Sequence, residues 1–375
     1  MRVGIDAHFI GNQQTGNETY TVNLVRSLAA VDTGPNEYTL YFTNSKAAAS
    51  PPVDDPRYRS RLLRPGHPLF RVPIVLPREL FRRPVDVLHT HYTLPPGVPK
   101  STRTVVTVHD ISWEFHPELY NTRRLLRLKT TVPWSARKAD RILAVSHAVK
   151  DALVQLYGID ANKIVVTHLA ASQKFHPQDE APCRQRIRER YGVDGRFILF
   201  VGNMTPRKNL IRVLRAFAWL RRERRIEERL VVAGPGIRNS NLFQSALDRL
   251  QLRDGIVCTG HLYEDDLPDL YNAAEVFLFP SVYEAFGLPT LEAMACGTPV
   301  IASKRPAFPE IAGDAALLVD PQNWESIAAG IEQVLSNASL SHGLRAAGLK
   351  RAAEFDWKTT AAETLAVYKE LAQAP

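Results

Sequence analysis

Short apolar runs recur along the chain and alternate with segments in which apolar residues return every three or four positions. Such runs, bounded by glycine, proline or polar residues, are typical of buried strands, and the longer period is typical of helices. Strands that alternate with helices form right-handed βαβ units and mostly parallel sheets. The pattern therefore predicts an α/β protein.

The predicted strands form two series, and each series opens with an apolar strand that runs into a glycine. The first series covers residues 2–7, 38–42, 85–89, 104–108 and 141–145, with helical patterns over 19–30 and 146–157. The second series covers residues 197–201, 229–233, 256–259, 276–279, 299–302 and 316–319. The polar segment 171–182 separates the series and carries two prolines, as linkers often do.

We therefore predict an N-terminal domain over residues 1–175 and a C-terminal domain over 183–357. The remaining segment, 358–375, contains a helical pattern over about 359–373 that has no strand after it, so we expect it to pack back on the N-terminal domain. A chain of 375 residues with 45% apolar residues can bury two cores.

Composition points to a cytoplasmic protein. No window approaches the ~20 apolar residues that span a bilayer, and the N-terminus lacks the unbroken apolar core of a signal peptide. The three cysteines are too few and too scattered for a disulfide framework or a zinc site.

The net charge of +8 is concentrated in the first half, where residues 1–180 hold 23 Lys/Arg against 16 Asp/Glu. Within it, the segment Arg57–Arg83 carries eight arginines interleaved with apolar residues. Such a segment can lie on anionic lipid at the inner face of a membrane, or hold an anionic acceptor. A solvated surface loop is the alternative.

Residues 283–300 combine two acidic residues with a predicted turn and helix start. Gly287 permits close approach of the backbone to a ligand, and Pro289 suits the first helical position. A diphosphate would bind at this helix start, aided by the helix dipole. The amides that would face it belong to Phe286, Gly287 and Leu288. Glu292, expected in the first helical turn, and Glu284, in the preceding loop, can accept hydrogen bonds from ribose and sugar hydroxyls.

Residues 200–210 place two cations directly after a predicted buried strand. The strand ends at Gly202, and Arg207 and Lys208 follow ahead of an amphipathic helix. Adjacent cations here can neutralise the charge that builds on a departing diphosphate. For any Arg-Lys pair taken alone, a solvated loop is the alternative.

Together these stretches resemble the retaining glycosyltransferases of family 4. That family has the GT-B fold, in which two Rossmann-like domains with parallel sheets face a central cleft. The resemblance covers most of the chain and is densest from residue 197 to 321. It rests on Thr15-Gly16, Val108-His109-Asp110, residues 201–209, Ala233-Gly234-Pro235-Gly236, Gly260-His261, the pair Glu284 and Glu292, and residues 297–302.

The resemblance implies a role for each matching residue. Glu292 would bind the ribose, Glu284 the donor sugar, and His109 would contact the transferred sugar near its anomeric centre. Asn203 stands where family members often carry arginine, so Arg207 is expected to bear more of the phosphate charge. Catalytic roles fall on His109, Arg207, Lys208 and Glu284. Donor-binding roles fall on Gly16, Gly202, Arg207, Lys208, Gly234, Phe286, Gly287, Leu288 and Glu292.

The reaction implied is transfer of a hexose from a nucleotide sugar with retention of configuration, without a metal or other cofactor. The general similarity favours mannose from GDP-mannose, and a UDP-hexose is the alternative. The N-terminal domain is expected to bind the acceptor and the C-terminal domain the nucleotide sugar. A saccharide or lipid-linked acceptor in cell-surface polysaccharide assembly is expected, and a trehalose-like or small-molecule acceptor is the alternative. The acidic triplet 264–266 is interpreted as a helix N-cap rather than as metal-binding carboxylates.

Three rival functions follow from the same features. A nucleotide-sugar epimerase of this fold would not need the two spaced glutamates. A dinucleotide-dependent oxidoreductase would need G-x-G-x-x-G after an opening strand, and neither strand has it. A nucleic-acid-binding protein is suggested by charge alone, without a matching module, so no nucleic-acid partner is expected.

Overall fold

A computed structural model of the chain describes residues 1–12, 15–260, 262–263 and 266–373. Two compact units are present: unit 1 is Met1–Leu169 with Asp356–Pro375, and unit 2 is Ala170–Phe355. His261 of the family motif, and Glu264 and Asp265 of the acidic triplet, lie outside the described residues.

Unit 1 contains a seven-stranded parallel sheet with the order β3-β2-β1-β4-β5-β6-β7. Its interior strands are almost wholly buried, as expected when helices cover both faces of a parallel sheet. The strands are β1 Arg2–Asp6, β2 Glu37–Phe42, β3 Tyr58–Leu62, β4 Val87–His91, β5 Arg103–Val108, β6 Arg141–Ala144 and β7 Ile164–Val166.

Within the described residues, seven α-helices connect these strands, and a π-helical turn, Arg71–Val75, joins the third of these helices to the fourth. Right-handed crossovers place the connections from β1 to β3 on one face of the sheet and those from β3 to β7 on the other. The helices are α1 Thr15–Val31, α2 Ser45–Ala49, α3 Pro68–Phe70, α4 Leu76–Arg82, α5 Ser112–Phe115, α6 Thr122–Lys138 and α7 His147–Tyr157.

The sequence pattern missed two strands of unit 1, and the loop interpretation of Arg57–Arg83 was wrong. That segment contains β3, α3, the π-helical turn and α4. Strand β3 lies at the sheet edge and alternates arginine with other residues, so it lacked an apolar run. Strand β7 is only three residues long.

Unit 2 contains a six-stranded parallel sheet with the order β10-β9-β8-β11-β12-β13. All six strands predicted for this half are present, because each is a short apolar run; three match the predicted bounds and the other three differ by one residue at one end or both. They are β8 Phe197–Val201, β9 Arg229–Ala233, β10 Ile256–Gly260, β11 Val276–Phe279, β12 Val300–Ser303 and β13 Leu317–Val319.

In the described part of unit 2, eight α-helices pack on both faces of this sheet, and large side chains such as Phe200 and Phe217 fill its core. The helices are α8 Glu180–Tyr191, α9 Leu210–Trp219, α10 Asn241–Leu250, α11 Leu267–Ala273, α12 Leu288–Ala295, α13 Ala307–Ala312, α14 Trp324–Ser336 and α15 Ala338–Ala352.

The last helix, α16 (Trp357–Gln373), belongs to unit 1, where it packs along α1. Its Tyr368 is fully buried, and the hydroxyl lies 2.5 Å from Nδ1 of His89 on β4. Across the described residues, no helix combines the length and the apolar content needed to cross a bilayer.

In each sheet the direction of strand succession reverses once. The reversal lies between β1 and β4 in unit 1 and between β8 and β11 in unit 2. Ligands of open α/β sheets bind outside the carboxyl ends of the strands at such reversals, because the loops diverge there and leave a crevice. The fold therefore predicts candidate sites at the carboxyl ends of β1 and β4 in unit 1 and of β8 and β11 in unit 2.

Candidate active site

In unit 2, the strands at the reversal lead directly into the stretches singled out by the sequence. Strand β8 ends one residue before Gly202, and a short 3-10 helix, Pro206–Lys208, follows. Strand β11 leads into the loop that carries Glu284 and ends at α12. The backbone N–H of Val282 donates to the carbonyl of Arg207 at 2.9 Å, so the two loops are joined directly.

Three charged residues meet where these loops touch. Oε2 of Glu284 lies 2.8 Å from Nη1 of Arg207, and Oε1 lies 2.7 Å from Nζ of Lys208. Arg207 also donates to the carbonyl of Tyr283 at 3.0 Å, and Lys208 Nζ lies 4.3 Å from the centre of the Phe279 ring. The cluster holds two cations and one anion, which leaves an excess of one positive charge.

The Glu284 carboxyl stays ionised because of its partners. Burial by itself would raise its pKa, but the charges of Arg207 and Lys208 outweigh burial and lower the pKa to about 2. An ionised carboxylate has about four acceptor positions, and the two cations take only part of them. Glu284 can therefore accept further hydrogen bonds from hydroxyl groups.

The start of α12 differs slightly from the prediction. The helix begins at Leu288, so Pro289 is its second residue and Glu292 its fifth. The placement of Glu292 in the first turn was wrong, because Gly287 adopts the left-handed conformation and serves as the N-cap. Glu292 is 8% exposed, and one of its oxygens accepts a hydrogen bond from the Tyr271 hydroxyl at 3.3 Å.

Two glycines bring the backbones after β8 and β9 together. The N–H of Gly202 donates to the carbonyl of Ala233 at 2.9 Å. Gly234 has φ of +152°, and a Cβ there would lie 1.7 Å from the carbonyl oxygen of Gly202. A side chain at Gly234 is therefore sterically impossible without movement of this loop. At Gly287 an added Cβ would meet the Phe308 ring at 3.0 Å.

Sequence reasoning missed Asn209, which organises the same edge. It has a positive φ of 66° and is buried, and its side-chain amide donates to the carbonyls of Pro280 and Pro321 at 2.9 and 2.6 Å. Asn209 therefore joins the end of the loop that carries Arg207 and Lys208 to the loops after β11 and β13. The available signal was a polar residue directly before an apolar helix.

In unit 1 the predicted His109 follows β5 and lies in a cluster of aromatic and imidazole rings. Its Nε2 is 2.9 Å from Nδ1 of His91, and its ring packs edge-on against Tyr20 at 4.6 Å. Nε2 of His91 lies 3.4 Å from the Thr21 hydroxyl oxygen, which donates its own proton to the carbonyl of Asn17 at 2.8 Å. His91 was missed, although two histidines at alternate positions, at the end of a predicted strand and just beyond it, were a signal.

The hydrogen-bond chain favours one tautomer of His109. Burial lowers the pKa of His109 well below its usual value and that of His91 to about 3, so both rings are neutral. Where the Thr21 hydroxyl donates to Asn17, it accepts from Nε2–H of His91. Nδ1 of His91 then accepts from Nε2–H of His109, which leaves Nδ1 of His109 as an acceptor.

A buried ion pair lies at the reversal point of the first sheet. Nη1 of Arg71 is 2.6 Å from Oδ2 of Asp6, and both side chains are about 4% exposed. Burial would raise the pKa of Asp6, but Arg71 and His8 hold it well below its usual range. Arg71 is therefore a structural residue at this edge and not part of a solvated surface.

Gly16 is the second residue of α1 rather than part of a loop. Within the described part of the chain, a Cβ at Gly16 would meet no atom within 4 Å. Packing against the described residues therefore does not require glycine here. Gly16 and His109 lie in unit 1, and the other predicted site residues lie in unit 2.

Asp266 occupies the N-cap position of α11 but its side chain does not cap the helix. It pairs with Arg190 and accepts a hydrogen bond from the Tyr191 hydroxyl at 2.6 Å. The prediction was therefore right that Asp266 occupies the N-cap position, and wrong that its side chain caps the helix.

Comparison with known families gives matches in both units. The family described as Glycosyl transferases group 1 matches residues 184–351, and the family described as Glycosyltransferase Family 4 matches residues 15–171.

Two relatives from Escherichia coli carry mannosyltransferase names. The O-antigen chain mannosyltransferase B is 35% identical over 269 residues, which are 72% of this chain and 71% of that protein. The serotype-specific mannosyltransferase WbdA is 28% identical over 285 residues, 72% of this chain. That match covers 34% of WbdA, so this chain corresponds to about a third of WbdA.

A solved structure from Anabaena, Alr3699/HepE in complex with UDP and glucose, has a TM-score of 0.77 and 17% sequence identity. The match covers 99% of this chain and 100% of that chain. At this identity the likeness shows the fold, and the fold is GT-B.

Proposed function

Since this chain belongs to the glycosyltransferases of group 1 and family 4, we propose that it transfers mannose from GDP-mannose to a saccharide or lipid-linked hydroxyl, with retention of configuration. The mannosyl part is supported by the 35% identity to O-antigen chain mannosyltransferase B. The acceptor class follows from the same relative, whose name places it in O-antigen chain assembly.

The observation that carries the proposal is the contact of Arg207 and Lys208 with Glu284 at the reversal point of the second sheet. Departure of a nucleoside diphosphate concentrates negative charge on its outer phosphate. Fixed cations at that place lower the barrier because they need no reorganisation during the reaction. Arg207 and Lys208 are the groups proposed to meet this charge.

The neighbouring residues are proposed to hold the rest of the donor. The amides at the start of α12, around Phe286 to Leu288, face the diphosphate with the positive end of the helix dipole. Glu292 accepts from the ribose hydroxyls and Glu284 from the sugar hydroxyls. Gly202 and Gly234 let the backbone approach the donor where a side chain would block it.

In unit 1, Nδ1 of His109 is proposed to accept a hydrogen bond from a hydroxyl of the transferred sugar. The proposal is supported by the hydrogen-bond chain through His91, which leaves Nδ1 as an acceptor. Gly16 is proposed to leave room for phosphate beside the start of α1, and the absence of any described atom within 4 Å of an added Cβ supports this.

We propose front-face attack by the acceptor, with the leaving diphosphate helping to take the proton. A metal is not required in this scheme, because Arg207, Lys208 and the α12 dipole supply the positive field. We also propose that the enzyme acts in the cytoplasm at the inner face of a membrane, where lipid-linked acceptors are held.

Donor binding is tested first by thermal shift with GDP-mannose, UDP-glucose, GDP and UDP, in the presence of EDTA. A bound nucleotide stabilises the folded protein by RT ln(1 + [L]/Kd), about 2.7 kcal/mol at a hundredfold excess over Kd. We expect the guanosine compounds to stabilise, and Lys208→Ala and Glu292→Ala to weaken the effect. Arg222→Ala, which removes an exposed cation of unit 2 paired with Glu223, should leave it unchanged.

Product analysis tests the reaction. Proton NMR of the product with a soluble saccharide acceptor should show the same anomeric configuration as the donor, and Lys208→Ala should lower kcat by about a hundredfold or more. Stabilisation by uridine compounds alone would replace GDP-mannose by a UDP-hexose. An inverted product would refute the retaining mechanism, and isomerised donor without transfer would indicate an epimerase.

A further inference from the structure

Helix α6 carries four of its six basic residues and its exposed apolar side chains on one side. Positions at offsets of 3, 4, 11, 14 and 15 from Arg123 fall within an arc of about 120° when each residue turns the helix by about 100°. The residues on this arc are Arg123, Leu126, Arg127, Trp134, Arg137 and Lys138. Leu126 is 65% exposed and Trp134 40% exposed. The helix has six basic residues and no acidic one.

A second exposed apolar row runs along α3, the π-helical turn and α4. Leu69, Phe70, Ile74 and Phe81 are each more than half exposed, although leucine, isoleucine and phenylalanine are the residues most often buried. Leu76 and Leu80 of the same segment face the core. Exposed arginines flank the row, namely Arg64, Arg78, Arg82 and Arg83.

Both rows lie on the same face of the first sheet. The connection from β3 to β4 contains α3 and α4, and the connection from β5 to β6 contains α6. Both connections run in the same direction across the sheet, so right-handed crossovers put them on one face. The loop after β4 touches both, because Leu94 N–H donates to Ser135 of α6 at 2.9 Å and Gly97 packs beside Pro77 of α4.

We propose that α6 and the Pro68–Arg82 segment together form a surface that binds the anionic headgroup region of a lipid bilayer. Amphipathic helices with basic flanks bind such surfaces by inserting apolar side chains between the headgroups while their cations contact the lipid phosphates. The surface refines the proposed membrane location and does not depend on the transfer chemistry.

Charge complementarity favours a bilayer over a protein partner. Within the described residues, no acidic side chain pairs with Arg123, Arg127 or Lys138, so these cations are available to an external anion. A protein partner would need an acidic groove for two separate helices, whereas a fluid anionic surface adapts to both. The exposed apolar side chains need an apolar medium only a few ångströms deep, which the headgroup boundary offers.

The test is sedimentation with vesicles, without donor or acceptor. We expect binding to an equimolar mixture of phosphatidylcholine and phosphatidylglycerol, weak binding to phosphatidylcholine alone, and partial release at raised salt. The triple variant Arg123→Gln/Arg127→Gln/Lys138→Gln should bind the mixed vesicles about a hundredfold more weakly, because each cation near the surface contributes about a factor of five. Its matched control is Arg221→Gln/Arg222→Gln/Arg225→Gln in unit 2, which removes the same charge and should bind like the wild type.

A second variant and its control test the contribution of the exposed apolar side chains to vesicle binding. Phe70→Ser/Leu126→Ser should bind about tenfold more weakly or worse, while Leu242→Ser, at a 59% exposed position of unit 2, should not change binding. Retained nucleotide-induced thermal shift in every variant shows that the variants are folded.

Two results would overturn the proposal of a lipid-binding surface. One is failure of the wild type to bind mixed vesicles, and the other is an equal loss in the face variants and their controls. Retention on a soluble anionic polysaccharide without vesicle binding would assign the same cations to a saccharide instead. Loss of transfer to a soluble acceptor would count against the proposed function and not against this surface.

Discussion

At the scale of single residues, Glu284 is held ionised by opposing forces. Its burial favours the neutral acid, but the guanidinium of Arg207 and the ammonium of Lys208 favour the carboxylate and prevail. The pKa of about 2 lies below the ordinary value of 4.5, so the folded state binds fewer protons here than the unfolded chain at intermediate acidity.

This difference predicts how acid affects stability. Because the folded pKa is lowered, the contribution is complete above about pH 5 and is lost as the pH falls toward 2. A shift of this size corresponds to about 3 kcal/mol. We expect the free energy of unfolding of the wild type, relative to Glu284→Gln, to fall by about this amount in urea titrations between pH 6 and pH 2.

Glu325→Gln, which removes an exposed carboxylate of α14, should keep the acid response of the wild type. Parallel acid responses of the wild type and Glu284→Gln would show that the three-residue cluster does not lower the pKa.

His109 yields a second residue-scale prediction. Burial keeps its ring neutral, and the chain through His91 to Thr21 places its proton on Nε2. NMR of protein labelled with ¹⁵N-histidine, assigned with His109→Gln, should show the Nε2–H tautomer without titration between about pH 5 and pH 8. Thr21→Val should alter the His91 signals more than the His109 signals, because Thr21 contacts His91 directly. A ring that titrates near 6.5, or that carries its proton on Nδ1, would contradict the proposed order of donors.

At the scale of elements, the loops after β8 and β9 depend on one glycine. At Gly234 both the positive φ and the 1.7 Å approach of a Cβ to the Gly202 carbonyl exclude a side chain. The loops that carry the proposed donor site are thus set by contact between backbones, which leaves little freedom for substitution.

We predict that Gly234→Ala destabilises the protein by more than about 3 kcal/mol and abolishes the nucleotide-induced thermal shift. Gly236→Ala is the matched control, because Gly236 also has a positive φ, of 75°, but a Cβ there meets no described atom within 4 Å. It should cost only about 1–2 kcal/mol and retain nucleotide binding. Urea unfolding and thermal shift measure both variants, and equal losses would argue against the steric explanation.

At the scale of the whole molecule, the chain returns to unit 1 after completing unit 2. Helix α16 covers α1, and its Tyr368 hydroxyl meets Nδ1 of His89 in the core. The C-terminus therefore stabilises a sheet whose strands all precede residue 170.

Tyr368→Phe should leave the buried His89 nitrogen without its partner, at a cost of about 1–3 kcal/mol. Hydrogen exchange followed by mass spectrometry should show faster exchange in β4 and β5 and unchanged exchange in β8 and β9. Tyr263→Phe, at a 70% exposed position of unit 2, should change neither. Faster exchange confined to unit 2 would contradict the assignment of α16 to unit 1.

The sequence predicted the strands of unit 2 well, because each is a short apolar run, and the interior strands β8, β9, β11 and β12 are almost wholly buried. It predicted unit 1 less well, since an edge strand such as β3 has one exposed side and carries arginines there. It also placed the start of α12 one residue too late, which put Glu292 in the first turn, because the position of the N-cap depends on the left-handed backbone at Gly287, which spacing does not reveal.

The sequence by itself determined the two parallel α/β units, the family, and the residues that meet at the second reversal point. Local periodicity and short motifs encode these features, and the carboxyl ends of parallel strands always share an edge. Only the tertiary structure decided that Asn209 joins three loops, that Arg71 is buried against Asp6, and that His91 orients His109. These contacts join residues that are far apart in the sequence, and Arg71 differs from the neighbouring arginines only in its burial. Neither property can be read from spacing along the chain.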